Sequence, residues 1–131
     1  MEKQNAMRSP FRIATMILGA FFTLQGIGWL ADPARAAAGL GMPLLDGLAR
    51  STQVGDLACF FLVAGITMLI GSRPGRAGLL YVPAAMIGGA AVTRTLAWAF
   101  QGAAFATLFI TIEVAVGVFL LKAARELDEM R

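Results

Sequence analysis

"AGLLYVPAAMIGGAAVTRTLAW", residues 77–98, carries a single charge, Arg94, in a run of apolar, small and hydroxyl-bearing residues. A helix rises about 1.5 Å per residue and needs roughly 20 mostly apolar residues to cross a hydrocarbon core about 30 Å thick. This stretch has that length and that polarity, so hydrocarbon is its expected solvent. The same measure, carried in both directions, picks out three more segments. They are "FRIATMILGAFFTLQGIGWL" over about 11–30, "STQVGDLACFFLVAGITMLIG" over about 51–71, and a last run over about 103–121. The expected fold is all-α: a polytopic membrane protein in which residues 1–131 form one four-helix transmembrane domain, with a short interfacial helix between helices one and two.

Composition supports the same solvent. The chain has 131 residues, 58% hydrophobic and 15% charged, against about 25% charged in an average soluble domain. A water-soluble domain of this size leaves roughly a third of its chain's surface exposed and could not hide so much hydrocarbon. A net charge of +3 with a pI near 9.8 does not point to nucleic acid, because the basic residues flank the apolar runs instead of forming a stripe. There is no His, and Cys59 is the single cysteine. An internal disulfide, Cys/His metal or haem ligation and His-dependent catalysis are thereby excluded. No metal site and no cofactor are expected.

Lys and Arg set the orientation. Lys3, Arg8 and Arg12 precede or open the first span, Arg73 and Arg76 sit in the second connection, and Lys122, Arg125 and Arg131 follow the fourth span. In the first connection Arg35 and Arg50 are offset by Asp32 and Asp46, and the third connection is uncharged. Both termini are therefore expected in the cytoplasm of a bacterium, with the chain in its inner membrane. "ARA" at 34–36 resembles a signal-peptidase site, but the apolar run before it exceeds the roughly 7–15 residues of a signal core. It is read as a retained span.

The first connection, "ADPARAAAGLGMPLLDGLAR", is long for a turn. Asp32–Pro33 reads as a helix start and Gly39 as its stop. Leu44, Leu45 and Leu48 recur at helical spacing, so one or two short helices at the outer interface are expected. In the third span, Ala84, Ala85, Gly88, Gly89, Ala90 and Ala91 let backbones approach closely in lipid. That span is expected to be the central, most buried helix, with Pro83 kinking it.

Three ionisable residues fall inside spans: Asp56, Arg94 and Glu113. Each costs about 2.5–3.5 kcal/mol at a helix centre on insertion scales, so a lipid-facing position is disfavoured. Arg94 lies one turn inside Trp98, and Gln25 one turn inside Trp29. Asp56 lies near the outer end of helix two, and Glu113 about 15 Å into helix four. Helical side chains lean toward the amino terminus. Arg94 and Glu113, on antiparallel helices, therefore tilt toward each other. They are expected to pair, with Asp56 and Gln25 completing a buried polar cluster in the outer half of the bundle. Such a pair locks helices in register or forms the floor of a ligand pocket, and the sequence leaves both open.

The order of these features resembles a family. A "P…A…LG.P" loop ("PARAAAGLGMP") is followed by "R…DL….L.AG…L" from Arg50 to Leu69, "R.LA….G" from Arg94 to Gly102, and "F..IE" from Phe109 to Glu113. This resembles the small bacterial four-span proteins catalogued as domain of unknown function 4345, similar in shape to DoxX-like proteins, over most of residues 11–121. The resemblance implies a four-helix membrane bundle in which Asp56, Arg94, Gly102 and Glu113 match the recurrent pattern. It carries no catalytic role.

The functional expectation is a non-enzymatic integral membrane protein whose polar cluster binds a small amphiphilic or lipid-like molecule. Its partners are then the bilayer, that molecule, and a second copy or a larger membrane complex; nucleic acid is not among them. One alternative is a structural or accessory subunit of such a complex. Another is a small proton-coupled transporter, although helix one offers only Gln25 where that class would place its acid. An enzyme is the least supported reading, because an Arg–Glu pair supplies charge but no nucleophile.

Overall fold

The structure, a computed structural model, describes residues 9–130. Lys3, Arg8 and Arg131, used in the orientation argument, lie outside the described residues. Five α-helices follow one another: α1 (Pro10–Ala31), α2 (Pro33–Gly39), α3 (Gly47–Gly71), α4 (Tyr81–Gln101) and α5 (Thr107–Glu129). A 3-10 turn, Ala77–Leu80, leads directly into α4. Four stretches are long and apolar enough to cross a membrane: α1, α3, the turn together with α4, and α5. The fold is thus all-helical, as expected, and has the make-up of a multi-pass membrane protein.

Local chemistry explains the element ends. Pro10 and Pro33 each occupy the first turn of their helices, where a missing N–H costs nothing. The Asp32 carboxylate caps α2 by accepting from the Arg35 backbone N–H at 3.2 Å. α4 ends at Gly102, whose φ of 67° is left-handed, a conformation that glycine adopts without strain. Inside the spans, hydroxyls find acceptors within their own helix. Thr15 and Thr23 donate to the carbonyls of Phe11 and Gly19, each at 2.7 Å, and Thr111 to that of Thr107 at 2.7 Å. In a medium without water this removes a polar cost.

Two ends differ from the sequence reading. α3 starts at Gly47, so Leu48 belongs to its first turn and no second short helix forms in the connection. Residues 42–46 form an irregular segment instead, held by Gln53. Its amide oxygen accepts from the Leu45 N–H at 2.9 Å, and its amide nitrogen donates to the Pro43 carbonyl at 3.0 Å. α5 starts at Thr107 rather than near 103 and runs to Glu129. Pro83, expected to kink the third span, stands near the start of that span and not in its middle. It lies in the first turn of α4, directly after the 3-10 turn, where its missing N–H breaks no bond.

The four spanning helices associate as two pairs. α1 packs along α3, and α4 along α5. The α1–α3 seam is the tighter. A Cβ on Gly65 would run into the backbone N–H and hydroxyl of Thr23, and one on Gly19 would meet the Gly65 carbonyl at 3.0 Å. The span Ala77–Gln101 is as buried as α3 and more buried than α1 and α5; a Cβ built on its Gly88 or Gly89 meets nothing within 4 Å, and Gly117 of α5 packs on the Gly88 backbone.

The pairs join at the end bearing the 3-10 turn. There Met68, Leu80, Leu120, Ala123, Ala124 and Leu127 form a closed core, and Phe11 stacks on Phe119 with ring centroids 6.0 Å apart. At the opposite end the helix α2 and the 40–46 segment pack on the α1–α3 side, around Trp29, Ala37 and Ala58. Trp29 is 1% exposed and Trp98 is 50% exposed. Trp29 is thus a packing anchor, while Trp98, edge-on to Phe105 at 5.2 Å, has the exposure of an interfacial aromatic.

Candidate functional site: a cleft with an ion pair in its wall

Because the helix pairs meet at one end, they leave a cleft of about 1210 Å³ between them toward the α2 end. Its inner floor is aromatic and aliphatic. Phe22 and Phe61 lie 5.6 Å apart, Phe60 is edge-on to Phe61 at 5.4 Å, and Met86 and Ile87 close the α4 side. Gly89 and Ala90 leave room where larger side chains would fill it, and Leu24 and Ile112 line the margins.

Arg94 and Glu113 stand in this wall. The Arg94 Nε donates to Glu113 Oε1 at 2.8 Å, and the guanidinium lies over the Phe109 ring at 5.0 Å from its centroid. That position adds a cation–π contact to the ion pair. Arg94 keeps 39% of its side-chain surface exposed, and Glu113 14%. The Glu113 Oε2 is buried and has no hydrogen-bond partner among the described residues. Sequence reasoning placed Glu113 near the midplane. Because α5 begins at Thr107, Glu113 lies only about 9 Å along it, and Arg94 lies about 10 Å from the end of α4. The two are level, which is why they meet without a long reach.

Gln25 lines the same cleft. Asp56 does not, and this corrects its place in the expected cluster. It is exposed on α3, one residue before the cleft-lining Leu57 and therefore about 100° around the helix. Three polar residues that the sequence reading did not assign to a site also line the cleft: Asp32, Arg35 and Thr93. Asp32 and Arg35 were read as a helix cap and a topology charge. Their spacing across α2 was the available signal, since a capped helix of Pro33–Gly39 places both at its first turn.

The sequence also gave no hint that Arg12 is buried. It is 6% exposed, and its Nε and Nη1 lack hydrogen-bond partners among the described residues. Arg12 lies at the closed end and takes no part in the cleft. No group of three His, Cys, Asp or Glu side chains able to hold a metal occurs among the described residues.

Comparison with protein-family models, curated proteins and solved structures finds no match. The functional reading therefore rests on the cleft itself.

Proposed function

We propose that the protein is a non-enzymatic membrane binding protein that holds a small single-chain amphiphile in this cleft, its tail against the aromatic floor and its head at Arg94–Glu113. The observation that carries the reading is the combination of volume and lining. Small-molecule sites run to roughly 300–1,000 Å³, are mostly apolar and carry a few fixed polar groups. This cleft is at or above the top of that range, at about 1210 Å³, with its polar residues gathered toward the α2 end. A purely structural ion pair would gain from being sealed, yet Arg94 lines the cleft and keeps 39% of its side-chain surface exposed. The orientation proposed from the Lys and Arg distribution puts both termini in the cytoplasm of a bacterial cell and the cleft in the outer half of its inner membrane. Kinship with the domain of unknown function 4345 proteins is part of the same proposal, on the motifs around Asp56, Arg94, Gly102 and Glu113.

Photolabelling tests it. A monoacylglycerol carrying a diazirine in its chain is incubated with the protein in nanodiscs and irradiated. Labels are expected on peptides containing Phe60–Phe61 and Phe109–Glu113, in preference to the lipid-facing Val118, which is 61% exposed. Labelling confined to such outward-facing residues would overturn the proposal.

A further inference from the structure

We infer that the head group read by this cleft is an uncharged hydroxyl, which donates to Glu113 Oε2 and accepts from Arg94. The inference rests on the proposed amphiphile-binding function and specifies its ligand.

The hydrogen-bond inventory of the pair sets the requirement. A carboxylate only accepts and a guanidinium only donates. One contact, Arg94 Nε to Glu113 Oε1 at 2.8 Å, satisfies one oxygen and one nitrogen. Glu113 Oε2 remains buried without a donor, and an orphaned charged acceptor in a low-dielectric wall is costly. An occupant that relieves it must bring a proton donor, and meets Oε2 when the carboxylate turns that oxygen, closed off in this structure, toward the cleft that Glu113 lines. The remaining N–H groups of Arg94, on a partly exposed side chain facing the same space, call for an acceptor. A hydroxyl offers one donor and two acceptor sites on a single atom, so one oxygen between the two side chains answers both.

Charge balance selects against ionic heads. Arg94 and Arg35 line the cleft together with Glu113 and Asp32, two positive groups and two negative. A carboxylate or phosphate head at the Arg94 end would face Glu113, and an ammonium head at Glu113 would face Arg94. Either would add an unbalanced charge to a space whose other walls are aromatic and aliphatic, where desolvation is expensive. Gln25 and Thr93, the other polar groups lining it, are neutral and suit a neutral head.

The test offers four probes with one tail. Dodecanol, its methyl ether, dodecanoate and dodecylamine are mixed in equal amounts with the protein in phosphatidylcholine nanodiscs, and retained probe is counted by native mass spectrometry against empty nanodiscs. Dodecanol is expected to exceed each of the other three about tenfold or more, as when a buried acceptor is left without its donor. The variant Glu113→Gln keeps an acceptor for Arg94 and can place an amide N–H where Oε2 was. The alcohol-to-ether ratio is expected to fall to about one in that variant, because the site then no longer needs a donor from the ligand. Equal retention of all four probes, or preference for a charged head, overturns the hydroxyl inference and leaves the amphiphile cleft standing. Retention of none above empty nanodiscs overturns both. Should Glu113→Gln fail to fold, the ratios measured on the wild-type protein decide alone.

Discussion

Arg94 and Arg12 are both arginines in helices that face hydrocarbon, and the structure treats them oppositely. Arg94 has a carboxylate at 2.8 Å and an aromatic ring beneath it. Arg12 is more deeply buried, yet two of its three guanidinium nitrogens lack hydrogen-bond partners among the described residues. Removing one member of a buried pair strands the other charge, whereas replacing a poorly satisfied buried charge with an apolar group of similar length is neutral or stabilising. Arg94→Met is therefore expected to lower stability by about 1–3 kcal/mol, a range reduced from the fully buried case because Arg94 is partly exposed. Arg12→Met is expected to leave it unchanged or raise it. Thermal unfolding in detergent reads both, and the opposite order would contradict the assignment. A charge swap, Arg94→Glu with Glu113→Arg, is expected to recover part of the loss that either single reversal causes. The pairing of Arg94 with Glu113 was legible in the sequence because charges in a span must find each other. The burial of Arg12 was not, because a basic residue at the start of a span reads as a topology signal whether or not the fold covers it.

Between elements, small residues do different jobs that composition alone cannot separate. Ala84 and Gly88 of span three let α5 approach at Gly117, whose built Cβ lies 3.5 Å from the Gly88 Cα, while the tightest approach is between α1 and α3. Gly65→Ala is expected to pry that seam apart, costing about 2 kcal/mol or more, since the built Cβ meets the Thr23 backbone N–H and the Gly19 carbonyl, which cannot swing away, as well as the Thr23 hydroxyl. Gly55→Ala, on the same helix with nothing within 4 Å, is expected to be neutral or to stabilise by about 0.5–1 kcal/mol through helix propensity. A comparison of their melting points checks the pair, and equal effects would contradict the seam. Gln53→Ala is expected to loosen residues 42–46 without moving the helices, read as faster proteolysis of that segment, because Gln53 supplies its hydrogen bonds to Leu45 and Pro43. Element starts were legible where a cap marked them, as Asp32–Pro33 marks α2. They were not where the chain is uniformly apolar: residues 103–106 carry no stop or start signal, so hydropathy merged them into the fourth span and set Glu113 too deep.

At the scale of the molecule, four spans and an all-helical fold follow from hydropathy, but their arrangement as two pairs does not. That arrangement depends on which glycines interdigitate and on a core of Met68, Leu80, Leu120 and their neighbours gathered at one end, tertiary facts without a sequence period. The cleft is a consequence of this asymmetry, closed at the 3-10 turn and open toward α2. Asp56, whose depth matched the site, missed it by a rotation about the helix axis that boundary uncertainty alone hides.

The most direct test of the account is to fill the cleft and leave the pair alone. Gly89 lines it, and nothing lies within 4 Å of a Cβ built there, so Gly89→Trp projects a ring into the space without displacing a neighbour at its base. Labelling by the photoactivatable monoacylglycerol, measured in nanodiscs on wild type and variant of equal thermal stability, is predicted to fall about tenfold or more, the loss expected when an apolar site is occupied by the protein itself. Undiminished labelling at Phe60–Phe61 and Phe109–Glu113 in the filled variant would contradict it.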